Sequence, residues 1–270
     1  MRKLTIYLIS ALLAFPTSAT AAAPGRADLV ELTLSAPVIL RADIVSAKQI
    51  SGKLAPGLAA GQKRHLVKAR VANVLTAPGF VPREIEYLLD LDTDSRGRSP
   101  KLKALPVLLF LAPGGSEAQF RLVKPWANVA WTAEHEAYVR AIAAEAVVPE
   151  AKGMAITGLR QAFHVRGSLP GESESQIFAD TRSENPIALV VLSRPGQERS
   201  LSVATGDIID EAAAGVKPGS LLWYHLACGL PRELPDSSME TLEADDASAA
   251  RDDYRFILDT LGPCDRSYGL

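Results

Sequence analysis

The sequence predicts a mainly β protein with a few helices, an α+β chain built in two parts. Three observations carry this. Short runs with alternating apolar and polar residues recur from Leu29 to Lys124 and again from Gly158 to Ile208, separated by Gly- and Pro-rich turns. Two segments, opening at Thr132 and Ser237, instead repeat apolar residues at three- and four-residue steps. The only two cysteines, Cys228 and Cys264, bracket the second of these helical segments.

In chain order, residues 1–23 read as a leader. Arg2 and Lys3 precede the apolar run LTIYLISALLAF, and the small residues of TSATAAAP follow, the pattern of a secretory signal peptide cut after Ala21 or Ala23. That run is too short to span a bilayer, and no later stretch reaches the roughly 18 uninterrupted apolar residues a spanning helix needs. The mature chain is therefore expected in the periplasm or outside the cell. Strands are expected at LVELTLS (Leu29 to Ser35), VILRADIVSAKQI (Val38 to Ile50), RHLVKARVANVL (from Arg64), REIEYLLDLD, LPVLLFLA (from Leu105) and QFRLVK. In RHLVKARVANVL, Leu66, Lys68 and Arg70 alternate with Val67, Ala69 and Val71, which assigns one face to solvent and one to a core. About six short strands joined by turns predict a small antiparallel barrel over residues 24–131.

The order of VILRADIVSAK, the long paired strand HLVKARVANVL, the loop TAPGFVPREIEYLLDL, then KLKALPVLLFLAPGG and a final strand resembles the OB-type barrel of netrin/TIMP-like modules. The resemblance covers about 100 residues and implies an OB-like fold. It implies no site, because the cysteines and the cysteine-led N-terminal wedge of the animal members are absent, and protease inhibition does not carry over.

WTAEHEAYVRAIAAEAVVPE reads as a connecting helix. Thr132 can cap it, Glu134 and Glu136 suit the positive end of its dipole, and Tyr138, Val139, Ile142 and Ala146 form one apolar stripe ahead of Pro149. The connecting helix and linker take residues 132–152, with a boundary at VVPEAKGMA, and residues 153–270 form the second part. There GLRQAFHVR, SESQIFADT, IALVVLS and RSLSVATGDI predict an antiparallel meander, and SLLWYHLACGL a further strand or short helix. Ser237 to Leu261 predicts a C-terminal helix, with Ser237 and Glu240 in capping-box spacing and Gly262-Pro263 as its stop.

The chain holds 29 Lys and Arg against 31 Asp and Glu, and loss of Arg2 and Lys3 with a leader shifts the balance further to the acidic side. Without a basic cluster there is no electrostatic footprint for nucleic acid. A protein or glycan is the partner class left open, and no cofactor is expected. Two cysteines without a CxxC or CxxH neighbour are too few for a metal site, and in an exported chain they predict a Cys228–Cys264 disulfide. Its loop closure is worth about 4 kcal/mol on the chain-entropy account. No metal site is expected. DLDTDSRG starts like a calcium loop but has Ser95 and Lys101 where Gly and Glu belong, and HEAYV carries Val139 where a zinc-protease motif needs its second histidine.

The segment HVRGSLPGESES gathers the candidate site residues His164, Arg166, Glu172 and Glu174, with Ser173 and Ser175. Uninterrupted alternation places His164 on a polar face with Arg160 and Arg166. A register with Arg166 opposite Glu172 and His164 opposite Glu174 then makes a salt-paired hairpin, each pair worth roughly 0.2–1 kcal/mol. G-E-S-E-S departs from G-x-S-x-G, and no strand-to-helix turn follows it. His225 is a further candidate base with no acid or nucleophile beside it, while Trp126, Trp131 and Trp223 read as packing residues. The sequence assigns no catalytic residue. It favours an exported binding or structural accessory protein; the alternative is a hydrolase of envelope or extracellular polymer, using His164 or His225 with Ser173 or Ser175.

Overall fold

A computed structural model describes residues 23–51, 55–148, 151, 153–183, 185–205 and 215–268. Residues 1–22 of the predicted leader, Pro149, Glu150 and Lys152 of the VVPEAKGMA boundary, and residues 206–208 of RSLSVATGDI lie outside the described residues. The described residues are mainly β, with four α-helices.

The first element is a helix, α1 (Arg26–Ser35), where alternation predicted a strand. Ala27, Leu29, Val30 and Leu32 are all buried, so α1 is enclosed on several sides and shows no single apolar stripe. Its helical form rests on its ends and its neighbours. Asp28 accepts the Gly25 N–H at 2.8 Å, and the Ala36 N–H closes on the Leu32 carbonyl.

Six strands follow: β1 (Val38–Gln49), β2 (Gln62–Thr76), β3 (Glu84–Asp92), β4 (Pro106–Pro113), β5 (Phe120–Leu122) and β6 (Asn128–Ala130). They form one sheet in the order β3-β2-β1-β4-β5, with β6 also on β4. Register shifts along β1 bend the long β1–β2 pair. A parallel bridge between Glu86 and Gln119 then brings β3 to the start of β5, which nearly closes the sheet. This is the strand order of an OB-like barrel. Val67, Ala69, Ile85, Tyr87, Leu109 and Leu111 fill its interior.

The outer face of β2–β3 is a cross-strand ladder. Arg64 faces Asp90, Leu66 faces Leu88, Lys68 faces Glu86 and Arg70 faces Glu84. Cations stand on β2 and carboxylates on β3, as the alternation of RHLVKARVANVL implies. Arg64 reaches both Asp90 oxygens at 2.7 Å, and Lys68 lies 2.6 Å from Glu86.

The connecting helix is α2 (Ala133–Ala146), capped as expected by Thr132, whose hydroxyl accepts the His135 N–H. Val30 of α1, Ile142 of α2 and Leu221 meet in a small core that links the barrel side to the second half. That half is a meander of β7 (Ile156–Arg166), β8 (Ser173–Thr181), β9 (Ile187–Ser193) and β10 (Ser200–Thr205) in simple order. One face is covered by α3 (Leu221–Gly229) and α4 (Ala244–Leu261), where Trp223, Leu226, Tyr254 and Ile257 pack on Ile177 and Leu189.

SLLWYHLACGL thus folds as helix α3, capped by Ser220. The predicted Ser237–Leu261 helix is divided: Asp236–Met239 is a 3-10 turn and α4 starts at Ala244 after Glu243, so no Ser237–Glu240 capping box forms. Gly262, at φ 72°, ends α4 as expected. The Cys228–Cys264 disulfide is formed, with Cα atoms 4.8 Å apart, and joins α3 to the chain just past α4. It tethers helix to helix, not helix to strand. No helix among the described residues is long and apolar enough to cross a membrane.

Candidate functional site

The β7–β8 hairpin differs from its predicted register. His164 faces Ser175, Val165 faces Glu174 and Arg166 faces Ser173, with Gly167–Glu172 as the loop. The cause is a bulge between Leu159 and Gln161, which breaks the alternation along β7. Leu159 packs on the core before it, yet Ala162 is fully buried after it. His164 shares the face of Ala162 and looks inward, while Phe163 and Val165 are exposed. On β8 this register buries Ser175, Ile177 and Ala179 together. Burying one Ile side chain is worth about 1.5–3 kcal/mol, more than the roughly 0.2–1 kcal/mol of a cross-strand ion pair. A one-residue slip would forfeit that burial to gain those pairs.

The charged candidates therefore have other partners. Arg166 reaches Asp246 of α4 at 2.8 Å, the Glu172 carboxylate accepts the Leu169 N–H at 3.3 Å, and Glu174 accepts the Gln176 amide at 2.6 Å. Arg160 pairs with Asp180.

His164 enters a buried polar chain instead. Its Nδ1 lies 2.9 Å from Ser175 Oγ, and that hydroxyl donates to Asp253 Oδ2 on α4 at 2.6 Å. Arg199 stands 3.2 Å from the other Asp253 oxygen. Asp253 and Arg199 were not singled out by the sequence, although Asp253 is a lone acid between Ala250 and Tyr254 in the buried stripe of α4.

The proton count fixes the polarity of this chain. Ser175 has one proton and gives it to the carboxylate, so its oxygen accepts from Nδ1–H of His164. Acyl transfer needs the reverse order, with the histidine between acid and nucleophile and the serine open to substrate. Here the serine stands in the middle and is fully buried. The cluster ties β7, β8, α4 and the β9–β10 loop together, and Ser175 is not placed as a nucleophile. Ser173 belongs to the same hairpin, opposite Arg166, and among the described residues hydrogen-bonds to no base.

His225 lies half-buried on α3 with its ring edge-on to Tyr224, and burial lowers its pKa. Among the described residues no carboxylate or serine hydrogen-bonds or ion-pairs with it, and burial alone shifts its pKa. His65 and His135 each set Nδ1 against a backbone carbonyl, of Lys63 and of Ala130. The four histidines do not converge, and among the described residues no three His, Cys, Asp or Glu side chains group as metal ligands. Asp94, of the calcium-like stretch, accepts the Arg96 and Arg98 N–H groups and the Arg98 side chain. Trp126 stacks on Tyr268, Trp131 donates to Glu136 beneath Arg41, and Trp223 donates to the Leu261 carbonyl.

The larger concavity is on the barrel. A groove of about 830 Å³ runs over the outer side of β2–β3 and up to the β4–β5 hairpin. Leu66 and Leu88 give it an apolar centre, the Arg64–Asp90 and Lys68–Glu86 pairs flank that centre, and Arg121 stands on the far wall. Arg64 holds the Asp90 carboxyl below the usual carboxylate range. Sequence alternation gave the face but not the groove, because Arg121 and β5 meet β3 only when the sheet curls.

Fold and geometry define an α+β protein with an OB-like barrel that carries an open groove, joined to a layered half whose buried polar cluster is structural. Compared with protein-family models and with curated proteins, the chain matches none.

Proposed function

We propose that this chain is an exported binding protein, periplasmic or secreted, whose barrel is of the netrin/TIMP-like type and takes a protein or glycan ligand in the β2–β3 groove. The observation that carries the reading is the groove's position. OB-type barrels bind on their β2–β3 face between the flanking loops, and a groove of about 830 Å³ lies on that face against the β4–β5 hairpin. The charges at its centre, Arg64–Asp90 and Lys68–Glu86, are paired within the protein, which suits a ligand held by shape, apolar contact and hydrogen bonds more than a polyanion. The leader and the disulfide support export.

The test is a peptide and glycan array probed with the mature chain and with a Leu88→Arg variant. Leu88 is 46% exposed, so the change blocks the groove without touching the core. Ligands of the parent are expected to lose at least about tenfold in affinity on the variant. Ligands that bind both proteins equally would place the binding surface elsewhere. Ester or glycoside turnover that depends on His164 would instead move the protein into the hydrolase class.

A further inference from the structure

Resting on that reading, we infer that the ligand of the groove is an extended polypeptide segment that adds as a strand along the free edge of β3. The backbone polarity of β3 carries the argument. Val71 N–H donates to the Arg83 carbonyl and Thr93 N–H to the Gly61 carbonyl, so the odd-numbered residues bond toward β2. Glu86 N–H points the other way and donates to Ala118 O at 2.8 Å. By two-residue alternation, Leu88 and Asp90 turn their N–H and C=O groups to the same edge as Glu86.

Past Glu86 that edge has no laddered partner strand among the described residues. β5 has three residues against nine in β3, and the parallel pairing stops at the single Glu86–Gln119 bridge. No β-ladder among the described residues pairs Leu88 or Asp90 with β5. Native edges of this kind are normally blunted by charge, bulge or cover. Here the Asp90 carboxylate is drawn off by Arg64 toward β2, and Leu88 lies open beside Leu66.

An incoming strand satisfies these groups and sets an apolar side chain on the Leu66–Leu88 spot. Arg121 selects its charge. It is exposed, and among the described residues its side chain has no carboxylate partner and makes one hydrogen bond, a long one to the Pro113 carbonyl at 3.5 Å. An acidic residue flanking the apolar one fits that wall. A glycan offers hydroxyls but not the regular N–H and C=O alternation that matches the edge of β3.

The probe is a panel of heptapeptides that alternate Val, Ile, Leu or Phe with Asp, Glu, Ser or Thr, each made with and without backbone N-methylation at alternate residues. Binding is read by fluorescence polarisation and by hydrogen exchange at the Leu88 and Asp90 amides of the mature chain. Peptides with acidic positions are expected to bind and to slow exchange at both amides. N-methylation in one phase is expected to cost about tenfold, one or two backbone bonds' worth, and in the other phase little. Arg121→Glu is expected to weaken acidic peptides and spare uncharged ones, with an unchanged melting curve as the control for folding. Groove binding of glycans with no peptide binding would overturn strand addition and leave the groove reading intact. Peptide binding that N-methylation in either phase leaves unchanged would also overturn it, and failure of both ligand classes would overturn both readings.

Discussion

Ser175 stands at the centre of the buried polar cluster between His164 and Asp253. It is fully buried, and its hydroxyl oxygen accepts a hydrogen bond from His164 Nδ1–H while its O–H donates to the Asp253 carboxylate. Ser175→Ala would strand one donor and weaken the shell of a buried carboxylate, a loss of about 1–3 kcal/mol. Ser173→Ala, at a site with no buried partner, is expected to stay within about 0.5 kcal/mol. Urea midpoints of the two variants check this, and equal midpoints would remove the structural role given to Ser175. His225 sets a pH limit. Burial lowers its pKa in the folded state, so below the ordinary histidine value, about 6.5, the unfolded chain binds the extra proton first. Its neutral burial therefore contributes stability that is full above that pH and is lost as pH falls toward the folded pKa. His225→Phe is expected to flatten the slope of stability between about pH 6.5 and the acid side of that range. At this scale the sequence was legible where a residue's meaning is local or counted, as for Cys228 and Cys264. It was not legible for His164, whose acid is contributed by α4 and whose facing direction depends on the bulge at Leu159–Gln161.

Among elements, the contact that replaces the expected salt-paired hairpin is the one between β7 and the N-terminus of α4. Arg166 reaches Asp246 at 2.8 Å and lies 3.8 Å from Asp245, both in the first turn of α4. Arg166→Glu is expected to destabilise modestly, and Asp246→Arg, not Glu172→Arg, to restore the loss. The side chain of Arg166 is 62% exposed, so solvent screening keeps the coupling below about 1 kcal/mol. A double-mutant cycle with each partner reads the difference, and coupling to Glu172 alone would restore the register the structure rejects. Strands and amphipathic helices were legible because their burial is one-sided: β2 alternates cleanly, and α2 carries Val139 and Ile142 on one stripe. The helices α1 and α3 were not, because both are apolar on several faces. LVELTLS alternates as well as a strand would, and only its position under α2, α3 and the C-terminal segment makes a helix of it.

For the whole molecule, the two ends of the described chain hold each other. The Asp265 carbonyl accepts the Ala27 N–H at 3.0 Å and its carboxylate accepts the Arg26 N–H at 3.0 Å. In return the fully buried Asp28 accepts the Ser267 and Tyr268 N–H groups at 2.7 and 3.1 Å, and Tyr268 stacks on Trp126. A Cβ at Gly25 would collide with the Asp265 backbone, which is why this approach tolerates glycine. The disulfide fixes Cys264, the residue next to this strap, onto α3. Losing both cysteines by Cys228→Ser with Cys264→Ser is therefore expected to cost about 4 kcal/mol from the unfolded chain alone. It should also loosen the strap, which gives a second and more discriminating expectation. If the strap is held in place by the disulfide, Asp28→Ala costs several kcal/mol in the oxidised parent, where three N–H groups lose a buried acceptor. It then costs distinctly less in the cysteine-free chain, where part of that network is already gone. The interaction term of the cycle should reach about 0.5–3 kcal/mol, as for residues that share one network. Guanidinium unfolding of the four proteins measures it, with hydrogen exchange at Ser267 and Tyr268 as the local readout. Additive costs, with those amides still protected in the cysteine-free chain, would mean that α1 holds the C-terminal segment without help from the disulfide.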